Sequence, residues 1–291
     1  INCLIVGKHG GFTMFGFKKK QSVSDKSSDR YLRPKVKLGL ALSGGGARGF
    51  AHIGAFRAFE EYRIRFDCVA GTSVGSIMGA AYCAGLTWQQ MRDFSLTVND
   101  QDIIDNRFIK IGSRSSNIED VMRKLIGDTT FEQLKTPFSA VAVDLVSGNE
   151  ITLNSGSVAK ACSASSAVPA VFKPVQYGDM LLVDGGLLNN IPADTVRHMG
   201  AEVVVAVDLN HTRGEGTTST KLWSTLMASW RILMKATAFK GQMNSDVIIE
   251  PELRVFKNTS IGDVDSMIEE GYRATVGKIP EIMYLLGLER R

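Results

Sequence analysis

Histidine and cysteine are both scarce, with four of each among 291 residues. The cysteines (Cys3, Cys68, Cys83, Cys162) form no C-x-x-C pair, and no histidine stands at zinc-ligand spacing from them. The sequence therefore makes no case for a structural metal or a disulfide framework. Cys68 lies in a strand-like run, and Cys83 and Cys162 lie in Ala-rich helical stretches, so they are expected to be buried, reduced thiols. Such thiols fit a cytoplasmic setting. No apolar run reaches the ~18–20 residues of a membrane-spanning helix. Residues 1–6 are apolar but too short, and too poor in preceding charge, for a signal peptide.

Excess charge is absent from most of the chain. The net charge is +4, but residues 1–33 carry seven basic residues against two acids, which leaves 27 basic against 28 acidic elsewhere. A nearly neutral body gives no argument for nucleic-acid binding. Residues 1–35 read as a flexible arm. Its residues 1–13, which open on Ile1, read as a remnant ahead of a natural start at Met14. Residues 36–291 are expected to form one catalytic domain.

Within that domain, short apolar runs alternate with helical patterns. Strands are expected at residues 36–42, 65–70, 138–145, 150–153, 180–183, 202–207 and 247–249. Helices are expected at 47–62, 74–84, 87–98, 117–126, 157–167, 192–199, 222–239 and 263–288. Unbroken apolar strands separated by helices predict an α/β fold, with a mainly parallel central sheet covered by helices on both faces.

Three motifs carry chemistry. Gly71-Thr72-Ser73-Val74-Gly75 fits G-x-S-x-G between a strand and a helix, where a sharp turn exposes a serine hydroxyl and Gly71 and Gly75 relieve collisions. Ser73 would also sit at a helix N-terminus, which favours developing negative charge. Gly44-Gly45-Gly46-Ala47-Arg48-Gly49 follows a strand and opens a helix, so its backbone N–H groups can cradle an anion. The same run fits G-x-G-x-x-G at Gly44, Gly46 and Gly49, with Asp67 near the spacing of a ribose-binding acid. A nucleotide- or phosphate-binding α/β protein using the 44–49 loop is therefore the alternative. Asp184-Gly185-Gly186 ends a strand, where ligands bind in parallel sheets.

Taken together, G-G-G-x-R-G, G-x-S-x-G and D-G-G, in this order, resemble the patatin-like phospholipase family, whose architecture is related to that of α/β-hydrolases. The stretch from Ala164 to Pro169, Asp208, and the stretch from Asp246 to Pro251 agree with the resemblance, which runs from Val36 to Leu286. It implies a serine acyl-ester hydrolase acting on lipids as a phospholipase A, lysophospholipase or esterase. It also implies a Ser–Asp dyad and an acyl-enzyme: Ser73 the nucleophile, Asp184 the base, and Gly44, Gly45, Gly46 and Arg48 the oxyanion loop. Arg48 would hold that loop or a leaving phosphate. No metal or cofactor is needed. The expected partner is a lipid or fatty-acyl ester, with peripheral membrane contact and no nucleic acid.

A triad would require a histidine. His198 and His211 have the Ser-acid-His order and His52 follows the glycine loop, but structural or surface roles are expected for all three. Trp223, Leu226, Met227, Trp230 and Met234 form a stripe that reads as core-facing, with a lip over acyl chains or a membrane as the functional alternative. Residues 101–116 are a weaker flap candidate. Lys18, Lys19 and Lys20, beside Phe15 and Phe17, read as a solvated tail.

Overall fold

The computed structural model describes residues 36–97, 116–211, 218–254, 256 and 263–288. The expected arm over residues 1–35 and most of the flap candidate at 101–116 lie outside the described residues.

The strands are β1 (Leu38–Leu42), β2 (Cys68–Thr72), β3 (Phe138–Asp144), β4 (Glu150–Leu153), β5 (Val175–Tyr177), β6 (Met180–Asp184), β7 (Val203–Val207) and β8 (Val247–Ile249). The helices are α1 (Phe50–Glu61), α2 (Val74–Ala84), α3 (Trp88–Ser95), α4 (Ser116–Ile126), α5 (Val158–Ser165), α6 (Ala193–His198), α7 (Leu222–Met243) and α8 (Val264–Leu285). One eight-stranded sheet is paired along β5-β6-β3-β2-β1-β7-β8, with β4 also on β3. Strands β8, β7, β1, β2 and β3 are mutually parallel. Strands β4, β5 and β6 join through antiparallel pairs. The short strand β5 is not anticipated from sequence, and β2 starts and ends later than expected, because it continues through Gly71 and Thr72 to the serine turn.

Period-two alternation sends the central strands' side chains to opposite faces. Leu38, Leu40, Leu42, Val69, Val203, Val205 and Val207 join one core, with residues of α1, α2 and α8. Ala41, Cys68, Ala70, Val204 and Ala206 join a second, against α6 and Ala238 of α7. Cys68, Cys83 and Cys162 are all buried and free, and burial pushes their thiols upward.

Register decides how the site is assembled. Ala140 and Val141 of β3 pair with both β2 and β4, so those two strands lie on opposite edges of β3. Ala142 and Val143 pair with both β4 and β6, so β6 lies on the same edge as β2. Strand β2 runs along that edge and ends with Thr72 opposite Val141. Strand β6 runs the other way and ends with Asp184 opposite Ala142. The two strands meet head to head, at neighbouring residues of β3.

Helix α8 packs on α1, which follows the glycine loop, at a contact tight enough to exclude a Cβ. A Cβ on Gly54 would lie 1.9 Å from Ile268 O, and one on Gly271 would lie 1.9 Å from Ala51 O. Gly277, exposed on the same α8, has nothing within 4 Å. Gly54→Ala is therefore expected to destabilise by about 1–3 kcal/mol, whereas Gly277→Ala should stabilise by about 0.5–1 kcal/mol. Urea unfolding of the two variants checks this; equal midpoints would show that the helices can move apart without cost.

Candidate active site

Ser73 stands between β2 and α2 at φ 54° and ψ −129°, a conformation that L-residues avoid. Its neighbours explain why it persists. A Cβ on Gly71 would lie 2.3 Å from Gly75 O, and one on Gly75 would lie 2.2 Å from Leu42 O. The turn is thus too crowded for any residue but glycine on either side. Ser73 N–H donates to Ser165 Oγ at 3.0 Å, and Ser165 Oγ–H donates to Val141 O at 2.6 Å. Ser73 O accepts from Ser76 Oγ at 2.6 Å. Thr72 Oγ1 donates to Asn189 O at 2.8 Å, tying the turn to the segment after Asp184.

Asp184 has no exposed surface, and Ser73 retains 7%. Asp184 Oδ1 accepts Gly186 N–H at 2.8 Å, while Oδ2 has no partner within hydrogen-bond geometry. Burial pushes this carboxyl up to about 7, opposed in part by the Ser73 hydroxyl and the Gly186 N–H. No histidine is among the groups that act on it. His52 is fully buried, donates Nε2–H to Ser43 O at 3.0 Å, and is lowered to about 4 by desolvation, so it stays neutral and braces the glycine loop. His198 bonds through Nδ1 to Asp194 O at 2.8 Å. His211 stands near Asp208, whose carboxyl is pushed upward by burial.

The three glycines of the loop divide into two roles. Gly44 N–H is shared between Asn190 O and Asn190 Oδ1, each at 3.2 Å, so it is not a free donor, contrary to the sequence expectation. Gly45 and Gly46 face the cavity beside Ser73. Arg48 is buried, and its Nε and Nη2 donate to Phe256 O at 3.2 and 3.1 Å. It anchors the loop to the C-terminal segment. Asn210 Nδ2 donates to Gly44 O at 2.5 Å, and Asp208 holds both Asn210 N–H and Gln242 Nε2. Asn190, Ser165 and Asn210 were missed as supports by sequence reasoning, although Ser165 lies in one of the stretches that carry the family resemblance.

The dinucleotide alternative fails on position. Asp67 precedes β2 and accepts Leu38 N–H at 2.8 Å, at the opposite end of these parallel strands from the glycine loop. Gly49 serves packing, since a Cβ there would lie 2.1 Å from the Val74 side chain.

Ser73 opens into a cavity of about 320 Å³ walled largely by apolar side chains of α1, α2, α3, α4 and α7. The stripe on α7 divides. Met227, Trp230 and Met234 line the cavity, whereas Trp223 and Leu226 are exposed. Met234 lies against both glycine turns: a Cβ on Gly186 would meet its Sδ at 2.0 Å, and one on Gly44 its Cε at 2.9 Å.

Residues 40–197, which contain all three motifs, match the family model described as patatin-like phospholipase. The chain belongs to the patatin-like phospholipase family. Among curated patatin-like relatives, an uncharacterized NTE family protein of Mycobacterium tuberculosis is 36% identical over 181 residues, covering 60% of this chain and 30% of that protein. A second from that species is 33% identical over 178 residues, covering 60% and 49%. Patatin-like phospholipase domain-containing protein 6 of Mus musculus is 31% identical over 225 residues, covering 73% and 16%. The chain thus spans less than half the length of these relatives. VipD from Legionella pneumophila shares the fold at a TM-score of 0.59 and 14% identity, covering 85% of this chain and 67% of that one.

The buried carboxyl has a consequence for stability. It titrates near 3.9 when unfolded and at about 7 when folded. The folded state binds the proton more tightly between these values, so stability falls as pH rises across that window. Asp184→Asn is free of this loss. Its Tm is expected to exceed that of wild type at pH 8, with the gap closing towards pH 4. A gap independent of pH would mean that the carboxyl is already ionised in mild acid.

Proposed function

We propose that this chain is a serine acyl hydrolase that cleaves lipid esters, with Ser73 and Asp184 as its dyad. The observation that carries the reading is the head-to-head meeting of β2 and β6 on one edge of β3. It sets a strained serine beside a fully buried carboxylate at the wall of an apolar cavity. Membership of the patatin-like phospholipase family supports the same activity.

Asp184 accepts the Ser73 proton as Ser73 Oγ attacks the ester carbonyl. Desolvation raises the basicity of the carboxylate enough to make that transfer feasible without a histidine. The carbonyl oxygen becomes an oxyanion, held by N–H groups of Gly45 and Gly46 and favoured by the α2 N-terminus. Collapse expels the alcohol, which takes the proton from Asp184, and leaves an acyl-Ser73 ester. Water, deprotonated by Asp184, then attacks that ester and releases the carboxylic acid and free Ser73. The cavity lies at the small end of the roughly 300–1,000 Å³ typical of ligand pockets, and its apolar walls suit one acyl chain.

Ser73→Ala is expected to lower p-nitrophenyl ester turnover by at least about 10³-fold and to abolish fluorophosphonate labelling, with the fold retained. Labelling that survives in Ser73→Ala would assign another nucleophile. Asp184→Asn should lose a similar factor; substantial residual activity would remove Asp184 as base. Because Asp184 must be ionised to act, kcat/KM should rise with pH up to about 7 and level off above it. A flat profile between pH 5 and 8 would contradict this assignment.

A further inference from the structure

Helix α7 buries only Met234, Ala238 and Gly241 among its residues. Its far side carries Leu222, Ile232 and Met243 at 73%, 71% and 71% exposure, Phe239 at 64%, Leu226 at 44% and Leu233 at 38%. At 3.6 residues per turn, Ile232, Phe239 and Met243 form one stripe and Leu222, Leu226 and Leu233 the adjoining one. Large apolar side chains exposed together along one side of a helix mark an interaction site.

Charge and position point to the occupant. From Lys221 to Ser245 the sequence holds Lys221, Arg231, Lys235 and Lys240 and no acid. Lys240 is paired with Glu150 and Asp194 at 3.1 and 2.6 Å. Lys221 and Lys235 are exposed beside the apolar side chains, and their charge complements anionic headgroups. The opposite face of the same helix, through Met227, Trp230 and Met234, walls the cavity that holds Ser73. No helix among the described residues is long and apolar enough to cross a membrane; an amphipathic helix with basic residues beside its apolar side chains is the type that binds in an interface plane.

We propose that α7 is an interfacial helix that docks the protein on an anionic lipid surface through Leu222, Leu226, Ile232, Leu233, Phe239 and Met243. Docking would bring the cavity to the surface that supplies its substrate, a purpose that rests on the lipid-ester reading; the binding itself does not.

The experiment is vesicle co-sedimentation of the Ser73→Ala protein, with and without Ile232→Asp and Phe239→Asp. Phosphatidylcholine vesicles are compared with vesicles also containing phosphatidylglycerol, and light scattering gives the oligomeric state. We expect binding that strengthens with phosphatidylglycerol and falls at least about tenfold in the Ile232→Asp/Phe239→Asp protein. With Ser73 restored, the same two substitutions should leave turnover of a water-soluble p-nitrophenyl ester unchanged. Equal vesicle binding with and without the substitutions overturns the proposal, and so does failure to bind either vesicle. A dimer that the substitutions dissolve, without vesicle binding, assigns the face to a second copy instead. Binding independent of phosphatidylglycerol overturns the anionic preference. Vesicle binding that depends on α7 in a protein without esterase activity would sink the hydrolase reading and leave docking intact.

Discussion

Asp184 lies where water cannot reach it, and that exclusion sets the terms for the rest of the site. In water a carboxylate is stabilised by hydration and is a poor base. Here burial strips the carboxylate of water, and the Ser73 hydroxyl and Gly186 N–H offset only part of that cost, so the proton affinity rises. Keeping the carboxylate dry requires the sheet edge to be sealed from several sides. The β2 and β6 ends abut, Asp184 N–H bonds to Ala167 O at 3.1 Å, and Met234 packs over the adjoining Gly186. A raised pKa, two strand ends and one methionine are therefore parts of a single arrangement.

The glycine loop and the serine turn are rigid for a related reason. Neither is held by its own sequence neighbours alone. Ser165 restrains the Ser73 N–H, Asn190 the Gly44 N–H and Asn210 the Gly44 carbonyl. Ser43 links the loop to β7 and its following segment through Val207 O and Leu209 N–H, at 3.1 and 3.0 Å. Groups fixed in this way need little rearrangement when negative charge appears beside them, which is the condition for electrostatic stabilisation.

Much of this was legible in the chain. Helix α2 and strands β4 and β8 fall where the pattern places them, because their apolar runs are bounded by glycine, proline or turn residues. The serine and aspartate turns are marked by glycines that crowding makes irreplaceable. Three things were not legible. Strand β5 is three residues long, with a single buried position, so it leaves almost no periodic signal. The partners of Arg48 and Gly44 are far away in the chain, and sequence does not reveal that Phe256 O and Asn190 accept from them. Helix α7 is apolar around most of its circumference, so its stripe could not be oriented, and the residues facing outward were not separable from those facing in.

The long reach of the loop's supports also bears on timing. Gly44 leaves the ribosome before its partners Asn190 and Asn210, which lie 146 and 166 residues further on. A nascent chain that has exposed Ser73 and its turn still lacks β7 and the two amides that hold the glycine loop. The loop therefore takes its final shape only once β7 pairs with β1, a long-range contact that topology makes slow. A growing polypeptide with an unfinished sheet carries the Ser73 hydroxyl without the neighbours that surround it in the folded domain.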